Sequence, residues 1–174
     1  MQLWVAHNPT RHCFIATEGP VVLFDYFSCE HLSDHSGIVD EVRPAVSWMY
    51  MYGGDLTDRR AARWAAGIAD LVREHGGGNA RIAVDHLDAE GVAELARLGI
   101  SVGNGEAVME TARLIKSPDE ILAMRRAIVA CEAAMGEMQA KLKPGISENE
   151  LWAELHRANI ARGGEWIETR LLSS

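Results

Sequence analysis

The sequence predicts a mixed α/β fold built in two parts. Three observations carry that reading: short β-rich apolar runs cut by turn dipeptides near the start, helix and strand patterns that alternate from residue 58 to residue 104, and a strongly capped helix start at Ser117. Strands that alternate with amphipathic helices favour a sheet with a parallel portion covered by helices.

Taking the elements in order, "LWVA", "HCFIAT" and "VVLF" are apolar runs separated by Asn8-Pro9 and Gly19-Pro20. Both dipeptides turn the chain, so the start reads as a strand meander. "SWMYMY", residues 47–52, alternates in a way that favours a strand with one aromatic face. From Asp58 the period changes. "DRRAARWAAGIADLVREHGGG" places Ala62, Trp64 or Ala65, Ile68, Leu71 and Val72 on one helical face, and Gly76 follows as a stop. "RIAVD" then reads as a buried strand, "DAEGVAELARLG" as a helix closed by Gly99, and "ISVGN" as another strand.

Ser117, Pro118, Asp119 and Glu120 combine a hydroxyl cap, proline at the first helical position, acids at the positive helix end and Glu at the capping-box position. A helix to about Leu142 is predicted, with the stripe Ile121, Met124, Ile128, Cys131, Met135, Met138 and Leu142, ended by "KPG". "SENE", residues 147–150, is a second capping box that starts "LWAELHRANIAR", which Gly163 and Gly164 stop. The strand-like run "EWIETRLLSS" follows. Two helices and one strand do not close a core of their own, so this second part reads as the opening of a larger domain.

Composition narrows the function classes. The 174 residues are 48% apolar and 24% charged, enough for one full core or two small ones. A net charge of -8 argues against a nucleic-acid partner, because such proteins concentrate Lys and Arg on one face. Three scattered cysteines, Cys13, Cys29 and Cys131, make no disulfide framework and fit a reducing cytoplasmic setting. No apolar stretch is long enough to span a membrane, and "MQLWVAHNPTRHC" lacks the pattern of a signal peptide.

Several residues are candidates for chemistry. His31 and His35 would share a face if "CEHLSDH" were helical, and with Cys29 they could ligate zinc; the plainer reading is a solvated turn. "DHLD", residues 85–88, follows a predicted strand, where α/β folds often place functional groups, although Asp88 is equally suited to cap the next helix. "GGGN" at 76–79 follows a helix instead of a strand, so it reads as a turn and not a phosphate loop. Trp48, Tyr50 and Tyr52 suit a core or subunit interface, with a cage for a sulfonium or ammonium group as the sharper alternative. Glu154 and His156 read as solvated or capping groups on a helix.

The pair "RLIKSPDEILAMRRA" (Arg113, Lys116, Ser117, Glu120, Ile121, Arg125, Ala127) and "KPGISENELWAEL" (Gly145, Ser147, Glu148, Leu151) resembles the junction of the creatinase/prolidase/aminopeptidase P family. The wording of "LWVAHNPTRHCFIATEGPVVLFDYFSCEHLSDHS" and "GGEWIETRLLSS" is most similar to that family's dimethylsulfoniopropionate lyase branch. The resemblance implies a creatinase-like N-terminal α/β domain over residues 1–110, lacking its first residues. Residues 111–174 would then be the first helices and strand of a truncated pita-bread catalytic domain. It implies a homodimer acting on a small-molecule substrate, with iron or manganese in the complete enzyme. The family holds its metals with two Asp, one His and two Glu, and no position here matches them, so no metal ligand and no catalytic residue is expected in this stretch and it is expected to be inactive alone. Arg170, Ser173 and Ser174 are the positions nearest the implied substrate. Lyase chemistry would be β-elimination to dimethyl sulfide and acrylate; Xaa-Pro peptide hydrolysis and a metal-free binding or dimerisation module are the alternatives on the same scaffold.

Overall fold

The computed structural model describes residues 10–33 and 36–164. The chain divides into two compact units, residues 1–111 and 112–174. The runs "LWVA" and "EWIETRLLSS" lie outside the described residues.

In the first unit, β1 (His12–Ile15) and β2 (Val21–Asp25) form an antiparallel pair with His12 opposite Phe24. β3 (Glu41–Pro44) lies parallel to β2, with Val22 opposite Glu41. Its sequence "EVRP" carries no apolar pattern. What seats it is Asp40, whose amide donates to the Val21 carbonyl at 3.0 Å and whose carboxylate accepts the Val21 N–H at 2.8 Å.

Residues 47–52 are not a strand. Tyr50–Gly53 make a single helical turn, α1, in which the amides of Tyr52 and Gly53 both donate to the Met49 carbonyl. Alternation alone does not make a strand: here the backbone satisfies its donors locally, and Gly54, at φ +49°, redirects the chain.

α2 (Thr57–His75) is the principal core helix. It buries Ala61, Trp64, Ala65, Ile68, Ala69, Leu71 and Val72, so the inward stripe begins at Ala61, while Ala62 is exposed. Ala61 lies three residues before Trp64, which is the spacing that puts two side chains on one face. Phe14, Val22 and Phe24 from the hairpin, Leu95 and Ile100 complete the same cluster. β4 (Arg81–Val84) and β5 (Ser101–Asn104) are parallel neighbours joined through α3 (Ala89–Arg97). The glycines between α2 and β4 form a turn: Gly77 and Gly78 have positive φ, and the Asn79 amide donates to the Gly76 carbonyl. α4 (Glu106–Ala112) follows β5.

The second unit holds α5 (Pro118–Lys141) and α6 (Glu148–Ile160), which pack on each other. Both begin with complete capping boxes. Ser117 accepts from the Glu120 amide at 3.2 Å while Glu120 accepts from the Ser117 amide at 2.6 Å; Ser147 and Glu150 repeat the arrangement at 3.3 and 2.9 Å. Those bonds hold the carboxyl groups of Glu120 and Glu150 below the usual carboxylate range. Glu137 of α5 ties to α6 and its C-terminal turn by accepting from Arg157 and Arg162. Ala134 and Ala158 are the buried residues of the two helices, and Ile121, Met124, Ile128 and Met135 are exposed.

Candidate functional site

The loop after β2 carries Cys29, half-buried, and His31, exposed on a short 3-10 turn over Glu30–Leu32. His35 lies outside the described residues. The polar chemistry at this place is on the inner side of the loop. Asp25, 2% exposed, accepts from Arg11 Nη2 at 2.8 Å, from Ser33 Oγ at 2.6 Å and from the Tyr26 amide at 2.8 Å. Burial pushes its carboxyl pKa up, but Ser33, the Tyr26 N–H and Arg11 more than offset this and the net value is lowered. Arg11 also donates to Ser33 Oγ at 3.2 Å, so strand β2, the residue preceding β1 and the loop are joined around one ionised carboxylate. Nothing in the local pattern of "VVLFD" announces this. The hairpin register does, since His12 opposite Phe24 puts Arg11 opposite Asp25.

A second polar place lies at the carboxyl ends of β4 and β5. An open recess of about 370 Å³ is lined by Asp85, His86, Leu87, Val102, Asn104 and Glu106, among others. Asp85 accepts from the His86 amide, and Asn104 from the Glu106 amide, each at 2.8 Å. Gly105 is needed here because a Cβ would come within 2.9 Å of the Val84 backbone. Asp88 caps α3 through the Gly91 amide at 2.8 Å, and its other oxygen accepts the Trp48 indole N–H at 2.6 Å.

That bond separates the aromatic candidates. Trp48 turns inward, with its ring 4.6 Å from that of Trp64, whereas Tyr50 and Tyr52 are exposed, Tyr50 by 74%. On α6, His156 is not solvated as the sequence suggested: it is half-buried and stacked on Trp152 at 5.1 Å, because the two lie one turn apart. Glu154 pairs with Arg157 at 3.1 Å. On the face of α5, Arg125, Arg126, Val129, Ala130 and Ala133 line a shallow recess of about 390 Å³ with Arg162. Arg170, Ser173 and Ser174 lie outside the described residues.

Sequence comparison gives the frame for these places. Residues 122–171 match the sequence pattern described as Metallopeptidase family M24. Over its whole length the chain is 42% identical to dimethylsulfoniopropionate lyase DddP of Roseovarius nubinhibens, and likewise 42% identical to DddP of Roseobacter denitrificans. The chain is thus similar to metallopeptidase family M24 over residues 122–171 and to the two lyases along its whole length. It spans about 40% of the length of the curated relatives it matches. Among solved structures, Xaa-Pro dipeptidase from Bacillus anthracis shares the mixed α/β fold at a TM-score of 0.62, covering 89% of this chain and 39% of its own, with 17% identity.

The family description names a metal, and the residues can be tested against one. Among the described residues no group of three or more His, Cys, Asp or Glu is arranged to hold a metal ion. Asp25 is committed to Arg11 and Ser33, and Asp88 to a helix cap and an indole. The described side chains therefore do not fit a metal centre. Among the described residues no helix is long and apolar enough to cross a membrane.

Proposed function

We propose that this chain is the front section of a dimethylsulfoniopropionate lyase with the M24 fold. The observation that supports it is the 42% identity to two such lyases across all of this chain, including the first unit, which the M24 pattern does not reach. In this reading residues 1–110 are a creatinase-like N-terminal domain, and residues 111–174 are the first helices and strand of the pita-bread domain. The enzyme is cytoplasmic and homodimeric, and it carries iron or manganese on residues outside this stretch. Arg170, Ser173 and Ser174 lie nearest its substrate. The reaction is β-elimination: the proton α to the substrate carboxylate goes to a base, the electrons of that bond form the carbon–carbon double bond, and the bond from the β-carbon to sulfur breaks. Dimethyl sulfide leaves as a neutral molecule and acrylate remains.

The test is to express the complete reading frame that contains this chain, supply iron or manganese, and measure dimethyl sulfide in the headspace and Xaa-Pro cleavage side by side. Dimethyl sulfide release from the complete protein, with none from these 174 residues alone, is the expected result. Peptide cleavage without dimethyl sulfide overturns the lyase reading and leaves an M24 peptidase. Neither activity, with no metal retained, leaves a binding or dimerisation module.

A further inference from the structure

His12, partly buried between Phe24 and Trp64, does no work in the lyase reading. Its ring stacks on Phe24 with centroids 4.3 Å apart and planes 11° apart, and it meets Trp64 edge-on at 6.1 Å. Both ring nitrogens are engaged. Nδ1 lies 2.9 Å from the Thr10 carbonyl oxygen, and Nε2 lies 3.1 Å from the indole nitrogen of Trp64. A carbonyl only accepts and an indole N–H only donates, so the partners fix the tautomer: Nδ1 carries the proton and Nε2 accepts. The imidazole is therefore the acceptor that fastens α2 to the β1–β2 hairpin at this point.

Protonation would put a hydrogen on Nε2, directly facing the Trp64 N–H. Two donors 3.1 Å apart repel, and the bond becomes a conflict at a partly buried contact. Among the described residues no carboxylate is bonded to the ring: on β3, Glu41 and Arg43 share the face of Val22 and Phe24 but pair with each other at 2.6 Å. Arg11 and Asp25 flank His12 and Phe24 in the strands, which by alternation puts them on the opposite face of the hairpin, where they pair with each other. Cys13 is on that face too. On α2, Arg60 donates to the Ser47 carbonyl and Arg63 is exposed. Asp88 is taken by the Trp48 indole and the α3 cap.

We propose that His12 is a pH-sensitive latch: neutral, it accepts the Trp64 indole N–H and holds α2 on the hairpin; protonated, it opposes that N–H and releases the contact. The release passes to Trp48, whose ring rests on Trp64, and from Trp48 to Asp88 at the start of α3. Burial lowers the His12 pKa from its ordinary value of 6.5, partly offset by the Thr10 carbonyl, as a neutral latch requires. The sign follows: stability from this group is complete above the unfolded value and is lost as pH falls from there through the lower folded value.

The experiment is thermal unfolding of this chain and of His12→Gln between pH 7.5 and 5. Gln keeps a donor and an acceptor but does not titrate. The wild type should lose about 4 °C or more of Tm over that range beyond any loss in His12→Gln. Equal losses in both proteins overturn the latch. Should His12→Gln fail to fold, nitrogen-15 NMR of the wild type decides. The latch requires an Nδ1–H tautomer for His12 and a shift of the Trp64 indole signal with the same midpoint as His12. An indole signal that ignores His12 titration overturns it.

Discussion

α2 and α5 are both long, well-formed helices, yet they are specified in different ways. α2, with 19 residues, buries seven side chains, and its sequence offers no side-chain cap. α5, with 24 residues, buries Ala134 and exposes most of its apolar stripe, but it opens on a capping box with proline in the first turn. One is held by what it covers, the other by how it starts and by the bonds of Glu137 to Arg157 and Arg162. Most helical stability in proteins comes from packing of an amphipathic face, so α2 is the ordinary case. In α5 local chemistry writes the helix while most of the apolar face is left open among the described residues.

The sharpest way to break this contrast is to remove one buried side chain from α2 and one exposed side chain from α5. Leu71, 1% exposed, should cost about 3 kcal/mol when changed to Ala, measured by urea unfolding. Ile128, 53% exposed, should change stability by less than about 0.5 kcal/mol. Comparable losses would mean that α5 is as tightly packed as α2. Close behind comes Asp25→Ala, expected to cost about 3 kcal/mol because Arg11 and Ser33 lose a buried ionised partner. Asp25 also predicts an acid limb. Its folded pKa is depressed, so its contribution is present above the unfolded carboxylate value of about 4 and disappears as pH falls through the folded value, a limb that Asp25→Ala should lack. The smallest effect is at the caps. Ser117→Ala and Ser147→Ala should each cost about 1 kcal/mol, seen as faster amide exchange in the first turn of α5 or α6 with α2 unchanged. Exchange across residues 118–160 should in any case be faster than in α2. Equal protection would end the contrast.

Legibility in the sequence follows the same divide. The starts of α5 and α6 were readable to the residue because a capping box is a matter of four neighbours in sequence. The inward face of α2 was readable except near its start, where Ala61 and Ala62 are equally apolar and only packing chooses between them. β3 gave no signal, since "EVRP" is placed by Asp40 reaching back to Val21. The Arg11–Asp25–Ser33 group was invisible for a similar reason: its members are 8 to 22 residues apart and meet only once the hairpin and its loop exist. Alternation in "SWMYMY" misled because period two describes a strand only when another strand supplies partners. Of the candidate site, Asp88 at its cap followed from local chemistry, while its bond to Trp48, 40 residues away, did not. Arg170, Ser173 and Ser174 lie outside the described residues.

Asp88 has a consequence for which substitutions this fold tolerates. Aspartate and asparagine are nearly interchangeable at a helix N-cap, because either can present one oxygen to a backbone amide. Here the second oxygen is committed to an indole N–H, and an amide nitrogen in its place would offer a donor to a donor. Flipping the amide moves the same mismatch to the Gly91 N–H. The exchange of aspartate for asparagine that most caps accept is therefore disfavoured at this one, and the start of α3 is coupled to the identity of residue 48.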